Sequence, residues 1–287
     1  MGKFADKIFI KGPENGYCNI CGSFGKLTRD HVPPKGCINI CEVEFRTLIE
    51  HYSEIYTKPK FSQNGINFKS LCNVCNNEKL GSRYDPSLIK MANDIGRYLK
   101  AEKELDLTIP SQTRITVQPQ RVARAVVGHL LAFTNPKRLV KPPLSSPYHD
   151  LLREYFLNPQ QSMPKELDIY YWVYPSNVQV LINFHSYSVD LFKHLIMGSL
   201  IKFFPIAFWA VRNTPKEVNL NVHKLLENKE IGLDDEVELD IKFHDLPRTE
   251  WPDTPDSNGA VLSSNGNSVL ATERKIKKKK NKLHLSK

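Results

Sequence analysis

Two pairs of thiols define the chemistry this chain could attempt. Cys18 with Cys21, and Cys72 with Cys75, each put two sulfurs on one tight turn, within the first quarter of a 287-residue chain. Two such turns supply the four soft ligands that a tetrahedral zinc ion takes from separate stretches of chain. All six cysteines lie between positions 18 and 75. That clustering reads as metal ligation in a reducing compartment, not as a disulfide framework spread through a secreted fold. The competing reading is a set of buried thiols or redox motifs. Cys37 and Cys41 have a different spacing in an apolar stretch and are read as packing residues, with a second metal as the alternative. Fifty residues lie between Cys21 and Cys72, so the metal would close a module with structure of its own.

Between the two turns stands Leu27-Thr28-Arg29-Asp30-His31-Val32-Pro33-Pro34-Lys35. A zinc staple alone does not require an Asp-His pair beside a Pro-Pro turn. Asn67 lies five residues before Cys72, and Asn76 directly follows Cys75. Cys-x2-Cys, Asp-His-Val-Pro-Pro, and then Asn-Phe-Lys-Ser-Leu-Cys-x2-Cys-Asn-Asn-Glu-Lys together resemble the four-cysteine HNH endonucleases, the ββα-metal nucleases, over roughly residues 15–82.

The resemblance implies the roles. Cys18, Cys21, Cys72 and Cys75 would hold a structural Zn²⁺ whose closed coordination leaves no position for chemistry. His31 would be the general base that deprotonates the attacking water. Asp30 and Asn76 would hold a catalytic Mg²⁺ or Mn²⁺, since hard oxygen ligands suit such ions. Asn67 would tie down the loop carrying His31. Lys79, Lys35 and Arg83 would contact phosphates. The motif here is His-Asn-Asn, with Asn76 and Leu80 where some relatives carry histidines, which favours an alkaline-earth ion over zinc or nickel at the catalytic position.

The elements that must position these residues follow from periodicity. Apolar residues recur at helical spacing over 86–105, with Asp85 as N-cap and Pro86 in the first turn. A short β-like piece, 115–117, precedes a helix over 119–133 with Val122, Ala123, Val126, Val127, Leu130 and Leu131 on its apolar face. A third helix is expected at 148–157, then strands at 168–174, 178–187, 195–204, 206–212 and 237–243. From Pro252 onward the composition reads as a flexible tail ending in a Lys/Arg run. The expected fold class is α+β: a zinc-stapled ββα-metal module (1–85), a larger α+β domain with an antiparallel sheet (86–250) and a basic tail (251–287). His129, His185, His194, His223 and His244 are isolated and are read as packing or surface residues.

The net charge of +9 is uneven: 271–287 carry +7, 1–85 carry +3 and 86–270 carry −1. A basic run of that kind suits phosphate-backbone contact, or simply solubilises. The longest apolar stretch, 195–211, is broken by Gly198, Lys202 and Pro205 and is too short to span a bilayer. No basic segment followed by an apolar one opens the chain, so a soluble, cytoplasmic protein without a membrane partner is expected. The expected activity is phosphodiester hydrolysis, in DNA before RNA, leaving 5′-phosphate and 3′-hydroxyl ends. By architectural analogy alone, the second domain would control the nuclease, as in antiviral-defence or mobile-element enzymes, through a homodimer or a regulatory partner. The alternative is an inactive zinc-stabilised module that binds nucleic acid or another protein.

Overall fold

The computed structural model describes residues 12–37, 42–52, 60–63, 65–134, 138–188, 193–254, 259–263 and 268–274. Cys41 and the lysines of 275–287 lie outside them. The chain opens with a hairpin, β1 (Asn15–Tyr17) and β2 (Phe24–His31), whose connection is the first cysteine turn. Gly22 closes that turn at φ 73, a left-handed conformation that disfavours any residue with a Cβ, and its N–H bonds Cys18 O. Next come β3 (Val43–Arg46), the short α1 (Leu48–Tyr52), β4 (Lys60–Ser62) and β5 (Asn67–Cys72), which returns antiparallel to β2. After the second cysteine turn the chain winds through a π-helical stretch, Val74–Tyr84, directly into α2 (Asp85–Leu105). Then follow β6 (Gln112–Val117), α3 (Pro119–Ala132), α4 (Pro147–Leu157) and the strands β7 (Leu167–Val173), β8 (Gln179–Ser188), β9 (Leu195–Phe203), β10 (Ile206–Arg212), β11 (His223–Lys224), β12 (Val237–Lys242), β13 (Ala260–Ser263) and β14 (Ser268–Glu273).

The protein is therefore mixed helix and antiparallel sheet, as expected. Three sheets form: β1-β2-β5; the pair β12-β6; and a nine-stranded sheet in the order β11-β7-β10-β9-β8-β14-β3-β4, with β13 also on β8. β7 and β10 are near-continuous apolar runs because both faces of the large sheet are covered. On one face lie the helices and the small sheet. On the other, Tyr170, Trp172, Tyr174, Trp209 and Trp251 pack with Leu48 of α1.

Two expectations of the sequence need correcting. The boundary at residue 85 does not divide the core. β3 and β4 join the large sheet, and one cluster of buried residues runs from Cys18 to Ala271. Nor is the whole of 251–287 a tail, because β14 inserts between β8 and β3 with Val269, Leu270 and Ala271 buried. Four apolar or small residues among Ser, Asn and Gly give a weak strand signal, and their burial comes entirely from the neighbouring strands.

At the centre lies α3. Its sequence shows one apolar stripe, yet every residue but Arg121 is buried, as befits a helix enclosed on all sides. Gly128 permits this: a Cβ there would meet Leu80 Cδ1 at 2.6 Å and Phe156 Cε2 at 2.7 Å. Most of its enclosed polar atoms find partners inside the protein, though Arg124 Nε does not. Arg124 donates to Gln120 Oε1 at 2.6 Å and Gln161 O at 2.6 Å, and stacks on Tyr155 at 4.1 Å.

Candidate metal centre and the His31 site

The two cysteine turns meet. Cys18 and Cys21 arrive from the β1–β2 connection, Cys72 from the end of β5 and Cys75 from the first turn of the π-helical stretch. All four sulfurs lie within 4.8 Å of one another. A zinc ion with Zn–S bonds of about 2.3 Å requires tetrahedral S···S edges of about 3.8 Å, and Cys21 Sγ and Cys72 Sγ are 3.7 Å apart. The donor set and the spacing fit a closed Cys₄ site. The titration behaviour agrees. Cys18 is brought down to about 5, chiefly by a hydrogen bond from the Cys75 thiol, while burial pushes Cys72 up to about 11 and the bond to Cys18 pushes Cys75 upward. Four sulfurs this close hold one thiolate readily and four only around a dication.

The centre is fastened to the rest of the protein through α3. Ser70 Oγ donates to Ala132 O at 2.6 Å, Asn19 Nδ2 bonds Leu131 O, and the Phe68 and Phe133 rings pack at 5.0 Å. Asn76 follows the last cysteine and turns its amide back onto β2, donating to Thr28 Oγ1 at 2.9 Å and Arg29 O at 3.0 Å.

His31 ends β2 and faces Asn67 across the β2–β5 pair. It is half-buried, and its side chain makes no hydrogen bond among the described residues. Burial, Lys35 and Arg29, in that order, hold its imidazole below the ordinary histidine value, so the ring is neutral at neutral pH and can accept a proton. Lys35 and Arg29 are exposed. The loop after His31 is tied by the backbone, Val32 N–H to Ile66 O at 3.0 Å. The Asn67 side chain, expected to do this, reaches only Gly65 O at 3.5 Å and leaves its buried Oδ1 without a donor.

Asp30 goes elsewhere. Its carboxylate is buried, with Oδ2 2.9 Å from His129 Nδ1, and His129 Nε2 lies 2.9 Å from Asp85 Oδ1. β2, α3 and the first residue of α2 are thus joined by a carboxylate–imidazole–carboxylate chain. The two carboxylates outweigh burial and lift His129 to about 10, while burial outweighs the imidazolium and lifts Asp30. The opposite emphasis follows from one cation shared between two anions: His129 has both nitrogens bonded to carboxylates, whereas Asp30 has one cationic neighbour that it shares with Asp85. Asp85, expected as an N-cap, is instead this anchor. His129, expected to be isolated, is its middle; the available signal was a histidine on a helix too apolar to leave it a solvent face.

Asp30 and Asn76 do not fit a divalent cation as they stand. Both are buried: the Asp30 carboxylate is taken by His129, whose two nitrogens are both engaged, and Asn76 is held to β2 through its amide nitrogen. Such an ion needs several oxygens with positions left open. Among the described residues, the four cysteines are the one group of three or more His, Cys, Asp or Glu side chains that converge as metal ligands do. Of the expected phosphate contacts, Lys35 is free beside His31. Lys79 is half-buried with Nζ 3.5 Å from Leu157 O, and Arg83 lies 5.9 Å over the Tyr84 ring. No helix is long and apolar enough to cross a membrane among the described residues. No family model, no curated protein and no solved structure matches the chain.

Proposed function

We propose that this chain is a zinc-stapled nuclease of the HNH kind that hydrolyses phosphodiester bonds, in DNA before RNA, with His31 as its base. One observation carries the reading: a neutral, half-exposed and unbonded histidine stands at the end of β2, opposite Asn67, between two exposed cations and on a sheet stapled to the following helix by four cysteines.

His31 takes the proton of a water as its oxygen attacks phosphorus. The bond to the 3′ oxygen then breaks, leaving a 5′-phosphate, and that oxygen is protonated from solvent. Lys35 and Arg29 offset the charge that grows on the phosphoryl oxygens, and the unused Asn67 Oδ1 is the acceptor best placed to orient a protonated imidazole. No step is routed through a divalent cation, because Asp30 and Asn76 as placed do not form its site. That same fact favours a second reading, a module that grips nucleic acid without cutting it.

The test is cleavage of supercoiled plasmid and of single-stranded RNA by full-length protein and His31→Ala, each in Mg²⁺, Mn²⁺ and chelator, after both are shown to hold zinc and to be folded. Cleavage by the parent alone supports the enzyme and its base. Binding by both without cleavage supports the second reading, and equal cleavage by both removes His31 from the mechanism.

A further inference from the structure

A cavity of about 40 Å³ lies beside the first cysteine turn, between β1, the segment before α4, and β8. A cavity needs roughly 10–15 Å³ of such volume for one water, so this one holds a few waters or one tetrahedral anion, not a whole nucleotide. Among the described residues no carboxylate lines it. Arg138, Lys141 and Arg153 do, with Tyr17 and Thr134. Residues 86–270 carry a net charge of −1, so three cations gathered in one concavity run against the regional balance.

The wall is built, not incidental. The β8–β9 register shifts between Ile182 and His185, and Phe184 sits at φ 65, a conformation an aromatic residue rarely adopts. Bulges re-aim side chains, and this one turns Asn183 off the ladder. Its Nδ2 donates to Phe133 O at 2.8 Å and its Oδ1 accepts from His149 Nε2 at 2.9 Å. The other ring nitrogen of His149 accepts from Ser146 Oγ at 2.8 Å, and burial keeps the ring neutral. Arg153 is fixed by Nε to Asn19 O at 3.0 Å and by Nη1 to Leu144 O at 3.1 Å and Asp150 Oδ1 at 2.9 Å. Among the described residues its Nη2, the hydroxyls of Tyr17 and Thr134, and the side chains of Arg138 and Lys141 have no hydrogen-bond partner. Asp150 offsets part of one charge; the other two stand uncompensated.

We propose that this cavity binds a single phosphate group, with Arg138, Lys141 and Arg153 as charged donors and Tyr17 and Thr134 as neutral ones. The phosphate is either a backbone phosphodiester of a polynucleotide or a free phosphomonoester. Tyr17 pairs with Phe24 at the start of β2, seven residues from His31 and so about 23 Å along the strand. A polynucleotide held here would lie along the small sheet toward His31. That arm rests on the proposed function; the phosphomonoester arm does not.

Calorimetric titration of the full-length zinc-loaded protein tests it, with inorganic phosphate and with a single-stranded 12-mer carrying or lacking a 5′-phosphate. The same titrations are run on Arg138→Ala/Lys141→Ala, two exposed positions whose loss leaves the fold intact. Saturable binding of inorganic phosphate and of the phosphorylated 12-mer alone, weakened roughly tenfold or more in the double variant, identifies a phosphomonoester site. Equal binding of both 12-mers, weakened to the same degree and with a salt slope lower by about 1 to 2, identifies a backbone site. Equal binding by parent and double variant overturns the proposal. Plasmid cleavage lost only in His31→Ala bears on the nuclease reading alone, so the two can fail separately.

Discussion

Replacing His129 by glutamine removes the cation from the Asp30–His129–Asp85 chain while leaving an amide of similar length. In the folded protein both imidazole nitrogens are bonded to carboxylates, and proton affinity rises from an ordinary value of 6.5 to about 10. At about 1.4 kcal/mol per tenfold change, that corresponds to about 5 kcal/mol favouring the folded, protonated state. Burial lifts Asp30 and works against this, so the net effect belongs nearer the roughly 3–5 kcal/mol seen when one partner of a buried pair is removed. The sign follows from linkage. A group whose folded value is raised contributes fully below its unfolded value and loses that contribution as pH climbs through the folded one. The parent should therefore exceed His129→Gln by about 3–5 kcal/mol at pH 6, and the gap should close between pH 6.5 and about pH 10. Urea unfolding followed by tryptophan fluorescence at several pH values in that range measures it, since Trp172, Trp209 and Trp251 pack together in the folded core. A gap that is constant with pH would mean that His129 is neutral and serves only as packing.

The remaining predictions are briefer. The purified protein should hold one zinc per chain by elemental analysis, and Cys75→Ser or strong chelation should release it with loss of the cooperative unfolding transition, because apparent zinc binding of about 10 kcal/mol or more is coupled to folding in such sites. Any cleavage activity should fall at least about 10²-fold in His31→Ala and, since His31 is held below the ordinary histidine value, the parent's rate should rise with pH to a plateau, with its half-maximum below pH 6.5, read from a pH–rate profile. Lys202 is buried and bonded to Asp253, Thr249 O and Trp251 O, so Lys202→Met should cost about 3–5 kcal/mol in urea unfolding by stranding Asp253, and adding Asp253→Leu should recover most of it. Residues 1–85 alone should bind zinc yet show no cooperative thermal transition by circular dichroism, because β5 and the cysteine turns lean on α3.

What could be read from the sequence is what local chemistry determines. The cysteine cluster was legible because Cys-x-x-Cys constrains two sulfurs to one turn whatever lies between the pairs. The helices at 85–105, 119–132 and 147–157 and the strands β7 to β10 were legible because their apolar periodicity is long. Asp30 shows where local reading stops. Its neighbours suggest a metal ligand, whereas its bond goes to a histidine 99 residues away, which no spacing rule connects to it. β3, β4 and β14 escaped for a related reason. They are short, and what makes them strands is the row of ladder bonds offered by β8 and by one another.

The same long-range contacts decide how the His31 site can work. A free-standing module of this size would owe its rigidity to a metal at the four cysteines alone, but this one is also bolted to α3 and α2 through Asp30. The strand that ends in His31 is therefore fixed one residue before that histidine by a buried ion chain. That arrangement spends on position the carboxylate that the resemblance would give to a metal. It leaves catalysis, where there is any, to His31, Lys35 and Arg29, or else to a rearrangement that frees Asp30. Asp30→Asn separates these outcomes, since an anchor shows its loss in stability and a catalytic ligand shows it in rate at unchanged stability.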